Sequence, residues 1–135
     1  MLAILVTPGQ RHDSTQLEAL LDAIEVPRLG RGRPRKRPDE LIADKEYSYP
    51  RCRKLLRKRG IRHTIPERRD QREQRSKQRG RPPHFDKVLY AKRNVDERCV
   101  NRLKQWRAIA TRYEKRAVNY RAMIVIASLM IWLST

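Results

Sequence analysis

Two carboxylates stand where this chain could do chemistry, and each also has an ordinary structural explanation. Glu97 lies in the stretch Phe85 to Tyr113, FDKVLYAKRNVDERCVNRLKQWRAIATRY, whose periodicity predicts a helix. At about 100° per residue, Val95, Cys99, Leu103, Trp106, Ala110 and Tyr113 fall on one apolar stripe, while Arg93, Glu97 and Lys104 cluster roughly 140° away. One acid is thereby set between two cations. A pair spaced like Arg93 and Glu97 is ordinarily a solvated helix ion pair contributing about 0.3 kcal/mol, and spacing alone favours that reading. The second carboxylate, Asp44, stands at the carboxyl end of a short strand read over Leu41, Ile42 and Ala43 in ELIADKEY. In open α/β sheets ligands gather at that end, yet an Asp there equally caps the next turn, and the two readings stay level.

Other reactive side chains offer less. His63 lies on an alternating strand predicted over Ile61–Ile65, IRHTI, with no partner nucleophile in view, and is read as structural. Cys52 and Cys99 sit in no CxxC or Cys/His spacing, which argues against zinc and for two small buried residues in a reducing compartment. Asp13 is read as a helix cap, shared with Ser14 as the alternative, ahead of Leu17, Leu20, Leu21 and Ile24 at helical spacing.

Charge says more than any single residue. The 135 residues hold 33 Lys+Arg against 15 Asp+Glu, a formal net charge of +18, which points to a polyanion partner, nucleic acid first and an acidic membrane surface second. Between Arg51 and Arg81 fourteen Lys/Arg face three Asp/Glu, so most of the excess is localised there. Such concentration is an electrostatic footprint for a phosphate backbone, and the lack of interleaved aromatic residues favours duplex over single strands. The cations concerned include Arg68, Arg69, Arg72, Arg75, Lys77, Arg79 and Arg81.

The elements that must position these groups form one domain with a modest core. Met1–Thr7, MLAILVT, reads as a buried strand closed by Pro8-Gly9. Arg28 to Pro38, RLGRGRPRKRP, reads as an extended, phosphate-seeking loop, and the highly charged segment 67–83 as a second, mobile one. A basic helix runs from Pro50 to Arg59, anchored by Leu55 and Leu56 and ended by Gly60. The last helix, near Arg116 to Leu133, is apolar almost all round after Arg121 and is expected to be buried; its apolar run is too short to span a bilayer, so no membrane is expected. No secretory signal is read at Met1–Val6.

This order of elements resembles the back half of an RNase H-like domain, and the motifs resemble bacterial transposases of the insertion-sequence-4/5 superfamily. ADKEYS at Ala43–Ser48 is similar to the signature around their second catalytic aspartate. Tyr90, Arg93, Glu97 and Lys104, with two, three and six residues between them, match the Tyr-Arg-Glu-Lys signature that carries their catalytic glutamate. RGIRHTIPERRDQ, GRPPHFD and RNVDERCVNRLKQWRAIATRYEK resemble the insertion-sequence-5 branch, and the likeness covers essentially residues 1–135.

The resemblance implies an α/β fold, a partial RNase H-like domain with a mixed sheet flanked by helices and lacking its first strands. It implies a DDE mechanism, in which three carboxylates hold a pair of divalent metals, Mg²⁺ or Mn²⁺, for in-line phosphoryl displacement. Asp44 and Glu97 would then be metal ligands, with Tyr90, Arg93 and Lys104 beside the DNA. Two departures stand out. Glu46 occupies a position that is usually small, and no residue matches the first catalytic aspartate, since Asp13 and Asp22 fall in the connecting helix. The expectation is a carboxyl-terminal piece, either a truncated remnant or the second frame of a transposase joined by frameshifting. Expected partners are insertion-sequence ends and target duplex, together with the amino-terminal transposase segment or another protomer, in the bacterial cytoplasm at the nucleoid. The alternative is a basic duplex-binding protein without chemistry, or an inactive remnant.

Overall fold

The computed structural model describes residues 2–78 and 80–134, which form two compact units. One is His12–Arg93; the other joins the residues up to Arg11 with those from Asn94 onward.

In the unit His12–Arg93 a single 3-10 turn, Asp13–Gln16, leads into α1 (Leu17–Asp22). Neither Asp13 nor Ser14 caps it: the residue before the turn is His12, with no side-chain cap, and Thr15 Oγ1 instead donates to the His12 carbonyl at 2.8 Å. Strand β1 (Glu40–Ile42) pairs in parallel with β2 (Arg62–Thr64), in the register Glu40↔Arg62, Leu41↔His63, Ile42↔Thr64. Between them runs α2 (Pro50–Lys58), so the three elements make one β-α-β crossover of the kind that parallel pairing demands. Strand β1 is half-buried rather than buried, since a two-stranded sheet has too few neighbours to cover both faces.

The core beneath this crossover is Leu17, Leu21, Cys52, Leu56, Ile61 and Ile65, with Ile24, Leu41, Tyr47 and Leu55 packed against it. At about 1.5–3 kcal/mol per fully buried aliphatic side chain, these few residues are the main force holding the unit together. Helix α2 ends in a Schellman motif. Gly60, at φ 64°, donates to the Arg57 carbonyl and Ile61 N–H to that of Leu56, turning the chain directly into β2. Arg59 at that end reaches Asp22 at 2.6 Å and Glu18 at 3.2 Å, which gives Asp22 a structural partner on α2.

Segment 67–83 is not a loop throughout, for it contains α3 (Arg69–Ser76). Without apolar residues it forms from good helix formers and from paired charge: Arg69 to Glu73 at 2.8 Å, one turn apart, and Arg75 forked onto Glu67. Helix α4 (Lys87–Ala91) follows, capped by Asp86, whose carboxylate accepts from Leu89 N–H at 3.0 Å.

The continuous helix expected over 85–113 is broken. After α4 come α5 (Asn94–Lys104) and α6 (Arg107–Thr111), the latter stopped by Arg112 in the left-handed region. The apolar stripe is too thin to hold one long rod: Leu103 is buried and Cys99 partly so, but Val95, Trp106, Ala110 and Tyr113 are exposed. Helix α7 (Ala117–Leu133) packs one stripe, centred on Ala127 with Met123, Ile124 and Ile131, against Leu103 and Ile109. Most of its other residues, among them Val125, Leu129 and Trp132, are exposed, contrary to the burial expected of so apolar a helix. Two short helices cannot cover its whole circumference. Residues Leu2 to Thr7 form no strand; among the described residues none pairs with them, and an unpaired strand leaves its backbone groups without partners. Met1 of that expected strand lies outside the described residues. No helix among the described residues is long and apolar enough to cross a membrane.

Candidate functional site

Asp44 sits one residue beyond β1, just after Ala43 N–H extends the ladder to the Thr64 carbonyl at 3.3 Å. Its Oδ1 accepts the Glu46 N–H at 2.9 Å, opening a single 3-10 turn, Lys45–Tyr47. Both readings of this aspartate therefore meet in one geometry: it caps the turn with one oxygen, at the carboxyl end of a parallel strand where ligands gather. The side chain is half-buried. Tyr47 in the same turn is pushed up to about 12, first by burial of its phenol and then by the negative charges of Asp13 and Asp44. A neutral phenol thus stands near the aspartate at any physiological pH.

The turn is held from below by Arg53 on α2, a residue that sequence reasoning counted only as positive charge. Its Nε donates to the Ser48 carbonyl at 3.4 Å and its Nη2 to that of Ile65 at 2.8 Å, joining the segment after Asp44 to the end of β2. Nη1 of Arg53 and the hydroxyls of Ser48 and Thr64 are buried with no hydrogen-bond partner among the described residues, so this strut is polar inside. No sequence signal marks this role, since both acceptors are backbone carbonyls. His63 is half-buried beside it, with Nδ1 3.3 Å from the Ile61 carbonyl and a pKa lowered chiefly by burial.

Next to the turn, Lys45, Glu46, Glu67, Arg68, Arg69 and Glu73 line an open depression of about 540 Å³. The extra carboxylate of Glu46 is exposed on its wall. Arg68 stacks over the Tyr49 ring at 4.4 Å, Arg69 is engaged by Glu73 and Arg75 by Glu67. Among the described residues Arg72, Lys77 and Arg81 have no acidic partner, which leaves their charge for an outside anion. Arg79, expected in the same set, lies outside the described residues.

The signature residues divide between the units. Tyr90 and Arg93 fall with Asp44 in His12–Arg93, where Tyr90 packs against Phe85 at 5.2 Å and the Arg93 guanidinium lies over the Tyr90 ring at 5.5 Å. Glu97 and Lys104 lie on α5 of the other unit, both exposed, and their spacing of seven puts them on one face. Arg93 precedes α5 instead of riding on it. Glu97 occupies the first turn, where a carboxylate is favoured by the helix dipole. The carboxylates suit a hard divalent cation in donor type, yet among the described residues no three of His, Cys, Asp or Glu gather as a metal-holding group. Both cysteines are free; Cys52 is buried as expected, Cys99 only partly.

Comparison with known proteins places these features in a family. The model of the transposase DDE domain matches residues 1–133, so the chain belongs to that family. It is 33% identical over 134 residues to a candidate transposase for insertion sequence element IS402 from Burkholderia cepacia. The match takes in 99% of this chain and 57% of that protein, so the chain spans little more than half the length of this curated relative. No solved structure matches it.

Proposed function

We propose that residues 1–135 are a carboxyl-terminal part of an RNase H-like transposase catalytic domain, of the insertion-sequence-5 branch, working by DDE-type phosphoryl transfer on DNA. The observation that carries this reading is Asp44 at the end of β1 in a parallel β-α-β crossover, in a chain that belongs to the transposase DDE domain family. Asp44 and Glu97 would each offer a carboxylate to a divalent cation, Mg²⁺ or Mn²⁺, which when bound would polarise the phosphodiester and lower the pKa of the attacking water. The turn-capping hydrogen bond to Glu46 N–H fixes how Asp44 presents its free oxygen. Arg93 and Lys104 neutralise phosphates near the cut, with Tyr90 holding the Arg93 guanidinium in place. Arg68, Arg69, Arg72, Arg75, Lys77, Arg79 and Arg81 engage the duplex backbone, giving binding that falls steeply between roughly 50 and 200 mM salt. DNA ends and target duplex are the substrates, and the amino-terminal transposase segment or another protomer completes the ligand set. The work takes place in the bacterial cytoplasm.

A basic duplex-binding protein without chemistry is the second reading, favoured by the lack of a three-ligand group among the described residues. A nicking assay separates them. Joined to an amino-terminal transposase segment, the chain is expected to nick donor DNA in Mg²⁺ or Mn²⁺, while Glu97→Gln abolishes cutting and preserves DNA binding. Efficient cutting by the chain alone, or undiminished cutting by the Glu97→Gln protein, contradicts the assignment.

A further inference from the structure

The segment after Pro27, RLGRGRPRKR, has a shape that phosphate binding alone does not require. Val26 and Arg35 form an antiparallel bridge, each donating its N–H to the other's carbonyl at 2.9 and 2.8 Å, so the base of the loop is closed. Everything from Pro27 to Arg33 is exposed, Leu29 included. The cations divide by position. At the base, Arg35 is engaged by Asp39 and Lys36 lies 3.8 Å from Glu25. At the tip, Arg28, Arg31 and Arg33 have no side-chain hydrogen bond or ion pair among the described residues.

The backbone of the tip is slender. Gly32 has φ 141°, a conformation open to glycine, and nothing lies within 4 Å of where a Cβ at Gly30 would be. Pro34 disfavours the helical region for Arg33. Two arginines thus flank a glycine at a spacing of two; Gly30 and Gly32 carry no side chain of their own, and the Arg28 side chain lies beside Gly32, its Cδ 3.7 Å from where a Cβ there would be. A ribbon this narrow fits a cleft; a flat phosphate surface would be served as well by any flexible basic tail.

The B-DNA minor groove is about 6 Å wide, and over A·T tracts it narrows further and gains negative potential that draws in arginine. At G·C pairs the guanine amino group projects into the groove floor and obstructs such a ribbon. Guanidinium is more weakly hydrated than ammonium and so loses less on entering the groove, which makes arginine and lysine unequal here. The wide, shallow minor groove of A-form RNA offers no comparable cleft. We propose that the Arg28–Arg33 loop reads A·T-rich duplex DNA from the minor groove, with Arg31 and Arg33 inserted. This rests on the duplex-binding part of the reading above and adds to it a groove and a base composition.

The test is the affinity of the full chain, by fluorescence anisotropy at fixed salt, for A·T-only and G·C-only duplexes of equal length. A preference for the A·T duplex on the order of tenfold is expected, erased when a minor-groove-binding polyamide occupies the duplex. The double variant Arg31→Lys, Arg33→Lys keeps the charge and alters only an exposed loop. It should bring A·T affinity down to the level of the G·C duplex measured with the same variant. Equal binding of both duplexes by the unaltered chain overturns the proposal and leaves general DNA binding standing, as does a preference that survives the double substitution. Failure to bind either duplex removes both this inference and the DNA reading it rests on.

Discussion

Arg53 donates from Nε to the Ser48 carbonyl and from Nη2 to that of Ile65, so one guanidinium spans the turn after Asp44 and the end of β2. Arg53→Met keeps most of the stem but strips two part-buried carbonyls of a charged donor; a loss of about 2 kcal/mol is expected in urea unfolding. A Met variant as stable as the original chain would mean the strut is dispensable. Tyr47 allows a second check at this scale. Its folded pKa of about 12 lies above the ordinary tyrosine value of 10.0, so the unfolded chain loses that proton first as pH rises. Stability from this group is therefore fully present below about pH 10 and declines towards pH 12. Tyr47→Phe should flatten that part of the stability profile, and an unchanged alkaline slope would contradict the burial of the phenol. Asp44 was readable in the sequence as a strand-end acid because the apolar triplet before it is short and distinct. Arg53 was not, because backbone carbonyls are invisible in a list of side chains.

At the scale of elements, local signals with one physical cause were legible. Pro50 and Gly60 bracket α2 because one lacks an N–H that the first turn does not use and the other takes φ 64° without a Cβ. Gly60→Ala is expected to cost about 1 kcal/mol, since the added Cβ is strained at that φ and would meet Arg37 Nη1 at 3.2 Å. An Ala variant with unaltered unfolding midpoint would show that the turn can relax. Elements whose fate depends on partners were misread. Periodicity could not show that the stripe through Val95 and Tyr113 would find too little to pack on, nor that α7 would bury only one side. Helix α3 was missed for the opposite reason. It has no apolar face, and its stability comes from pairs such as Arg69–Glu73 and Arg75–Glu67 that composition scores merely as charge.

For the whole molecule, a net charge of +18 and membership of the transposase DDE domain family both support the proposal that DNA is the target, and Arg28, Arg31, Arg33, Arg72, Lys77 and Arg81, without an acidic partner among the described residues, are where that charge would act. The central proposal is narrower: Asp44 and Glu97 each serve as a carboxylate ligand for a divalent metal. Manganese titration of the isotopically labelled chain, followed by paramagnetic broadening of its backbone amide signals, tests this most directly. Saturable broadening centred on Lys45–Tyr47 that is lost in Asp44→Asn, and on the first turn of α5 that is lost in Glu97→Gln, is the predicted result. Broadening at either place that survives removal of its own carboxylate, or a response that never saturates, would contradict it.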